Sequence, residues 1–67
     1  MATFKEANQV RLMLKMKLHE YSWYSSSLVV LDNDGYAVII NVNILDNKVR
    51  KLVPQVVNDV SIKIELE

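Results

Sequence analysis

The sequence predicts an α+β domain. It should be a two-layer sandwich in the order α-β-β-α-β, with both helices on one face of a three-stranded mixed sheet. Three observations carry this. Residues 27–44 read as two strands joined by the turn Asp32-Asn33-Asp34-Gly35. Asp34-Gly35 supplies the tolerance of positive φ that a tight hairpin needs. Thr3-Phe4-Lys5-Glu6 matches a capping box and opens a helical pattern. Val60, Ile62, Ile64 and Leu66 alternate with Ser61, Lys63, Glu65 and Glu67, the mark of a strand with one buried face.

Each element follows from its residues. Ala7, Val10, Leu14, Leu18 and Tyr21 recur at spacings of three and four, which makes one apolar stripe, widened by Met13. Leu, Met, Lys, Arg and Glu favour a helix here. Alternation of Leu14, Met16 and Leu18 with Lys15, Lys17 and His19 also suits a strand, but the cap, the length and the lack of β-branched residues favour the helix. The helix should end near Tyr21, before the turn-forming hydroxyls of Ser22, Ser25, Ser26 and Ser27. Leu28 to Leu31 is then a short, continuous apolar strand. In the second strand, Tyr36 to Ile44, Val38, Ile40, Val42 and Ile44 face one way and Ala37, Ile39, Asn41 and Asn43 the other. Asp46 caps a short helix with Val49, Leu52 and Val53 inward, and Pro54 ends it. Val56 and Val57 should plug the following loop, and Asn58-Asp59 should turn the chain.

The first two strands are antiparallel. The segment holding the short helix is a crossover, so the third strand should lie parallel to the second, with a right-handed connection. Pattern alone leaves open whether the third strand sits beside the first or the second. The ending Leu52-Val53-Pro54 … Asn58-Asp59-Val60-Ser61-Ile62 resembles the helix–proline–turn–strand close found in several small α/β modules. That resemblance implies a connection and no function.

Length and composition narrow the function. A chain of 67 residues holds one domain, and a domain this small buries only about 60% of the surface its unfolded chain exposes. Such domains often need a staple. There is no cysteine, so disulfides and thiolate metal sites are excluded, and the single His19 makes no multi-histidine site. No cofactor or metal is expected. By elimination, an external stabiliser would be another protein chain, with a copy of itself as one candidate; the alternative is a domain that folds alone on good packing, since half of the chain is apolar. The lack of cysteine fits a reducing compartment. The longest uncharged run, Tyr21 to Leu31, is too short to span a bilayer, so the expectation is a cytoplasmic protein with no membrane partner. The terminal Leu66-Glu67 also matches what precedes a purification tag. Eight basic and eight acidic residues cancel. The bases gather at Lys5, Arg11, Lys15, Lys17, Lys48, Arg50 and Lys51, which gives a basic helical side and an acidic sheet end.

Candidate chemistry is sparse. Asp32-Asn33-Asp34-Gly35 echoes part of a calcium loop, but the twelve-residue register would put Val30 and Asn41 at the end positions, where neither ligates as required. His19-Glu20 starts like a zinc-protease motif, yet Trp23 stands where the second histidine belongs. No serine lies in a nucleophile elbow, and Gly35 is the only glycine, so no phosphate loop exists. The chain reads as a non-enzyme. Two surfaces remain. Leu12 and Met16 fall off the helix's main stripe, Ile39 points away from the helices, and Trp23, Tyr24 and Tyr36 should gather near one end. Apolar and aromatic patches of this kind mark partner interfaces. The alternative is a weak binder of single-stranded nucleic acid through Arg11, Lys15, Lys17 and Trp23. Zero net charge disfavours it.

Overall fold

The computed structural model describes residues 2–33 and 35–67. Its elements are α1 (Phe4–Leu18), β1 (Tyr24–Asp32), β2 (Gly35–Val42), α2 (Asn47–Leu52), β3 (Val56–Val57) and β4 (Val60–Leu66). The class is α+β with a mixed sheet. The sheet, however, has four strands in the order β1-β2-β4-β3, not three.

The additional strand comes from Val56 and Val57, the expected loop plug. They pair antiparallel with Ser61 and Val60. The cause is the turn between them. Asn58 and Asp59 both take positive φ, 49° and 65°. Two consecutive positive-φ residues make the tight turn that matches strand twist, so the chain folds back on itself at once. Two residues are too few to show alternation, which is why pattern reading passed over this strand.

The rest of the sheet follows from register. β1 and β2 pair antiparallel, with Val29 opposite Val38 and Leu28 opposite Ile39. β2 and β4 pair parallel, with Val38 beside Ile62 and Ile40 beside Ile64. This settles the third expected strand beside the second. Gly35 opens β2 at φ 116°, a conformation a Cβ would resist. Asp34, part of the expected turn, lies outside the described residues.

Val38, Ile40, Val42 and Val60 are fully buried and form one cluster with Ala7, Val10, Leu14 and Leu18 of α1 and with Val49 and Val53. Both helices therefore contribute to one core. The Thr3 hydroxyl accepts from the Glu6 amide, and the Glu6 carboxylate accepts from the Thr3 amide, which completes the capping box. The Asp46 carboxylate accepts from the Val49 amide and starts α2.

Three boundaries differ from the sequence reading. α1 ends at Leu18 rather than near Tyr21. β1 begins at Tyr24, so Tyr24, Ser25 and Ser26 are strand residues as well as Ser27. β2 ends at Val42, which leaves Ile44 outside it and exposed. Serine is a weak breaker, and pairing with β2 overrides its preference. The register shifts between Tyr24 and Ser26, so the strand enters the sheet through a bulge at Ser25.

Candidate interaction surface

Strand order places β1 at one margin of the sheet, with β2 on one side and, among the described residues, no strand on the other. It is nine residues long and carries no charge before Asp32. A margin of this kind presents a row of backbone donors and acceptors to any incoming strand. The opposite margin is composite. β3 covers only the start of β4, and beyond Ile62 the outer backbone of β4 lies free among the described residues, over a stretch that includes Lys63 and Glu65.

α1 lies over β1 and β2. Its flank toward the open margin forms a groove with β1, lined by Arg11, Lys15, Tyr24, Ser25, Ser26 and Ser27. Arg11 is oriented by Asn8, whose Oδ1 accepts from Arg11 Nε at 3.1 Å. The Tyr24 hydroxyl donates to Ser27 Oγ at 3.0 Å. Among the described residues, neither Arg11 nor Lys15 has a carboxylate partner, since the salt bridge found joins Lys63 and Asp32.

The sheet face away from α1 is partly exposed. Leu28 stands opposite Ile39 there, and Val30 opposite Ala37. Lys63 Nζ donates to Asp32 Oδ2 at 2.6 Å, a contact that crosses β2 from β4 to β1. At the other end Asn41 Nδ2 donates to Ser26 Oγ. Polar links thus bound an apolar strip. The Lys63 ammonium, followed by the Asn33 amide, holds the Asp32 carboxyl below its ordinary value. The capping bonds to Thr3 do the same for Glu6.

The six expected contact residues do not come together. Leu12 and Met16 share the outer face of α1 with Lys15 and His19. Trp23 and Tyr24 are partly buried against the core, with Trp23 stacked on Tyr21 at 5.0 Å. Tyr36 meets Phe4 edge-to-face at the other end of the sheet. Ile39 faces away from the helices, opposite Leu28. The expected gathering of Trp23, Tyr24 and Tyr36 is therefore corrected: the antiparallel β1–β2 pairing sends Tyr36 to the hairpin end and Tyr24 to the far end.

The nucleic-acid set is also divided. Arg11 and Lys15 line the β1 groove, while Lys17 lines a different one with Met13, Tyr21 and Leu52. A 100° advance per residue puts Lys15 and Lys17 on different flanks of the helix.

Other candidates take structural positions. His19 Nδ1 lies 2.8 Å from the Met16 carbonyl and 3.2 Å from that of Lys15. Carbonyls only accept, so Nδ1 carries a proton and His19 closes the C-terminus of α1. The Asp32 carboxylate is engaged by Lys63 and by the Asn33 amide. Among the described residues no three His, Cys, Asp or Glu cluster as a metal site would require. Among the described residues no helix is long and apolar enough to cross a membrane.

Sequence reading passed over Phe4, Leu28 and Leu31, all exposed. The run Leu28–Leu31 has the continuous apolar character of a strand buried on both faces. Its place at the margin exposes it instead, and only strand order reveals that.

Comparison with protein-family models, with curated proteins and with solved structures finds no match to this chain.

Proposed function

We propose that this chain is a small, non-enzymatic protein-interaction module whose working form includes another protein chain. The observation that supports it most is the amount of apolar surface left outside a small core. Met16 is 75% exposed, Leu31 71% and Phe4 55%. Isolated exposed apolar residues are ordinary. Here they adjoin others: Met16 sits with Leu12, and Phe4 with Tyr36, the pairing partner of Leu31.

The chemistry of the surface points the same way. Its one histidine is spent on a helix end, and the Asp32 carboxylate is held by a salt bridge. What the surface offers a ligand is apolar contact, hydroxyls and scattered charges of both signs. A cysteine-free chain suits a reducing compartment, and we place the protein in the cytoplasm.

Light scattering coupled to size exclusion, together with unfolding over a wide range of protein concentration, tests whether the partner is a second copy. A dimer whose melting temperature rises with concentration is the expected result for self-association. A monomer with concentration-independent stability transfers the role to a different protein, which affinity capture from the native host would identify. Capture of nothing, from a chain that stays monomeric, would reject the reading. Quenching of Trp23 by an oligonucleotide at low salt, lost as salt rises, would replace it with the nucleic-acid alternative.

A further inference from the structure

We propose that the open margin of β1 takes up an extended acidic segment of another protein as an added strand, with its carboxylates alternating into the groove beneath Arg11 and Lys15. This rests on the interaction-module reading and names the chemistry of the partner.

Three features converge. First, β1 offers an unpaired side over a long, uncharged stretch, with no proline. Main-chain pairing along such a margin gives affinity for any extended chain, and alternate side-chain sites give choice. Second, those alternate sites differ sharply on the two faces. On the helix side an added strand meets Arg11, Lys15 and the hydroxyls of Tyr24 and Ser27. Arg11, Lys15 and Ser27 have hydrogens left to donate, the Tyr24 hydroxyl being engaged with Ser27, and the two cations have no carboxylate partner among the described residues. On the other side it meets Leu28 and Val30, beside Ile39 and Ala37. The complementary segment therefore alternates acidic and apolar residues. Third, a second copy of β1 fits badly. Antiparallel pairing of two β1 strands would bring α1 of both copies to the same side of the joined sheet. Their Arg11 and Lys15 flanks would then face each other, and like charges so placed repel.

The test uses the intact protein, labelled with nitrogen-15, and a capped heptapeptide in which glutamate alternates with valine. The expected result is saturable shifts centred on residues 25–31, slowed exchange of the outward-facing β1 amides, and affinity that falls with salt. Replacing the peptide's glutamates by glutamines should weaken binding about tenfold, the scale of a few exposed charge pairs. The variant R11E/K15E should lose a similar factor while keeping its circular dichroism. Lys15 is exposed and Arg11 partly so, and neither belongs to the core cluster.

Shifts confined to the outer face of α1 or to β4, equal binding of the glutamine peptide, or no binding at all would overturn the proposal. Displacement of the peptide by an oligothymidylate of comparable affinity would overturn it too, since the groove would then be a phosphate site. Failure here is separable from failure of the broader reading. A protein that ignores the peptide yet dimerises, or captures a partner through α1, keeps its role as an interaction module and loses only this partner.

Discussion

Ile39 and Ile40 are neighbours on β2 with opposite surroundings, and their alanine variants should behave as different mutations. Ile40 has no exposed surface, lies between Ser27 of β1 and Ile64 of β4, and belongs to the cluster packed under α1. Ile40→Ala leaves a cavity closed on every side, a change that costs about 3–4 kcal/mol in well-packed cores. A domain of 67 residues has about 3–10 kcal/mol of total stability, so this variant should lose from about a third to all of it. Ile40→Val removes one methyl group and should cost about 1 kcal/mol. Ile39 is partly exposed on the other face, between Leu28 and Lys63. Ile39→Ala opens toward solvent, leaves no enclosed void and loses only part of the transfer term, about 1 kcal/mol. Urea unfolding followed by Trp23 fluorescence and by circular dichroism reads all three. In a domain this size 1 kcal/mol moves Tm by about 4–8 °C. Equal losses for Ile39→Ala and Ile40→Ala at every protein concentration would refute the burial of the Ile40 face beneath α1. An Ile39→Ala loss that shrinks on dilution would show a second copy covering the open face.

Three further outcomes follow from local geometry. Asp46→Ala removes the side-chain acceptor for the Val49 amide, and on a helix of only six residues it should cost about 1 kcal/mol, read by the same urea titration. Asp59→Gly should hold or raise stability by up to about 1 kcal/mol, because a Cβ is unfavourable at φ 65°, while Asp59→Val should lower it by about 1–2 kcal/mol. The acid limb of stability should depend on Asp32 and Glu6. Both carboxyls are held below their ordinary values of 3.8 and 4.5 in the folded chain, so their contributions are complete above those values and are lost as pH falls through the lower folded ones. Lys63→Met should flatten the Asp32 share of that decline and leave the Glu6 share, and unchanged acid unfolding in this variant would remove the salt bridge as a source of stability.

The helices and the hairpin were legible because each is local. Thr3 and Glu6 announce α1 within four residues, and Asp46 and Pro54 bracket α2. The parallel pairing of β2 and β4 was legible from the intervening helix. The sheet's fourth strand was not, since two valines carry no period and their pairing depends on the backbone of Asn58 and Asp59. The surface was legible only in part. Leu12 and Met16 reveal themselves by falling off the α1 stripe, and Ile39 by its parity in β2. Strand order, a non-local property, decides that Leu28 and Leu31 lie at a margin and that Tyr24 and Tyr36 sit at opposite ends. The same limit hid the groove, whose two walls are separated by α1's C-terminal turns and the bend at Tyr21 to Trp23.

The two margins of the sheet are guarded in different ways, and the difference has a measurable consequence. Natural sheets discourage edge pairing with charges, prolines, bulges or short strands. The β4 margin follows that practice, with β3 only two residues long and Lys63 and Glu65 in the strand beyond it. The β1 margin has a bulge at Ser25 and no charge from Tyr24 to Leu31. The charges beside it, Arg11 and Lys15, sit on α1 instead. A charge inside a strand repels most incoming strands, whereas a cation on the flanking helix repels only those that bring a cation to the same side. A second copy does so, and an acidic segment does not. Neutralising the pair should therefore release the margin for self-pairing. R11Q/K15Q should sediment as a mixture of monomer and larger species whose average mass rises with concentration, with an added strand signal by infrared spectroscopy, while R11E/K15E stays as the parent because two acidic flanks also repel. Identical sedimentation of the parent and both variants would mean that these charges do not guard β1, and that the bulge and the twist of the strand suffice.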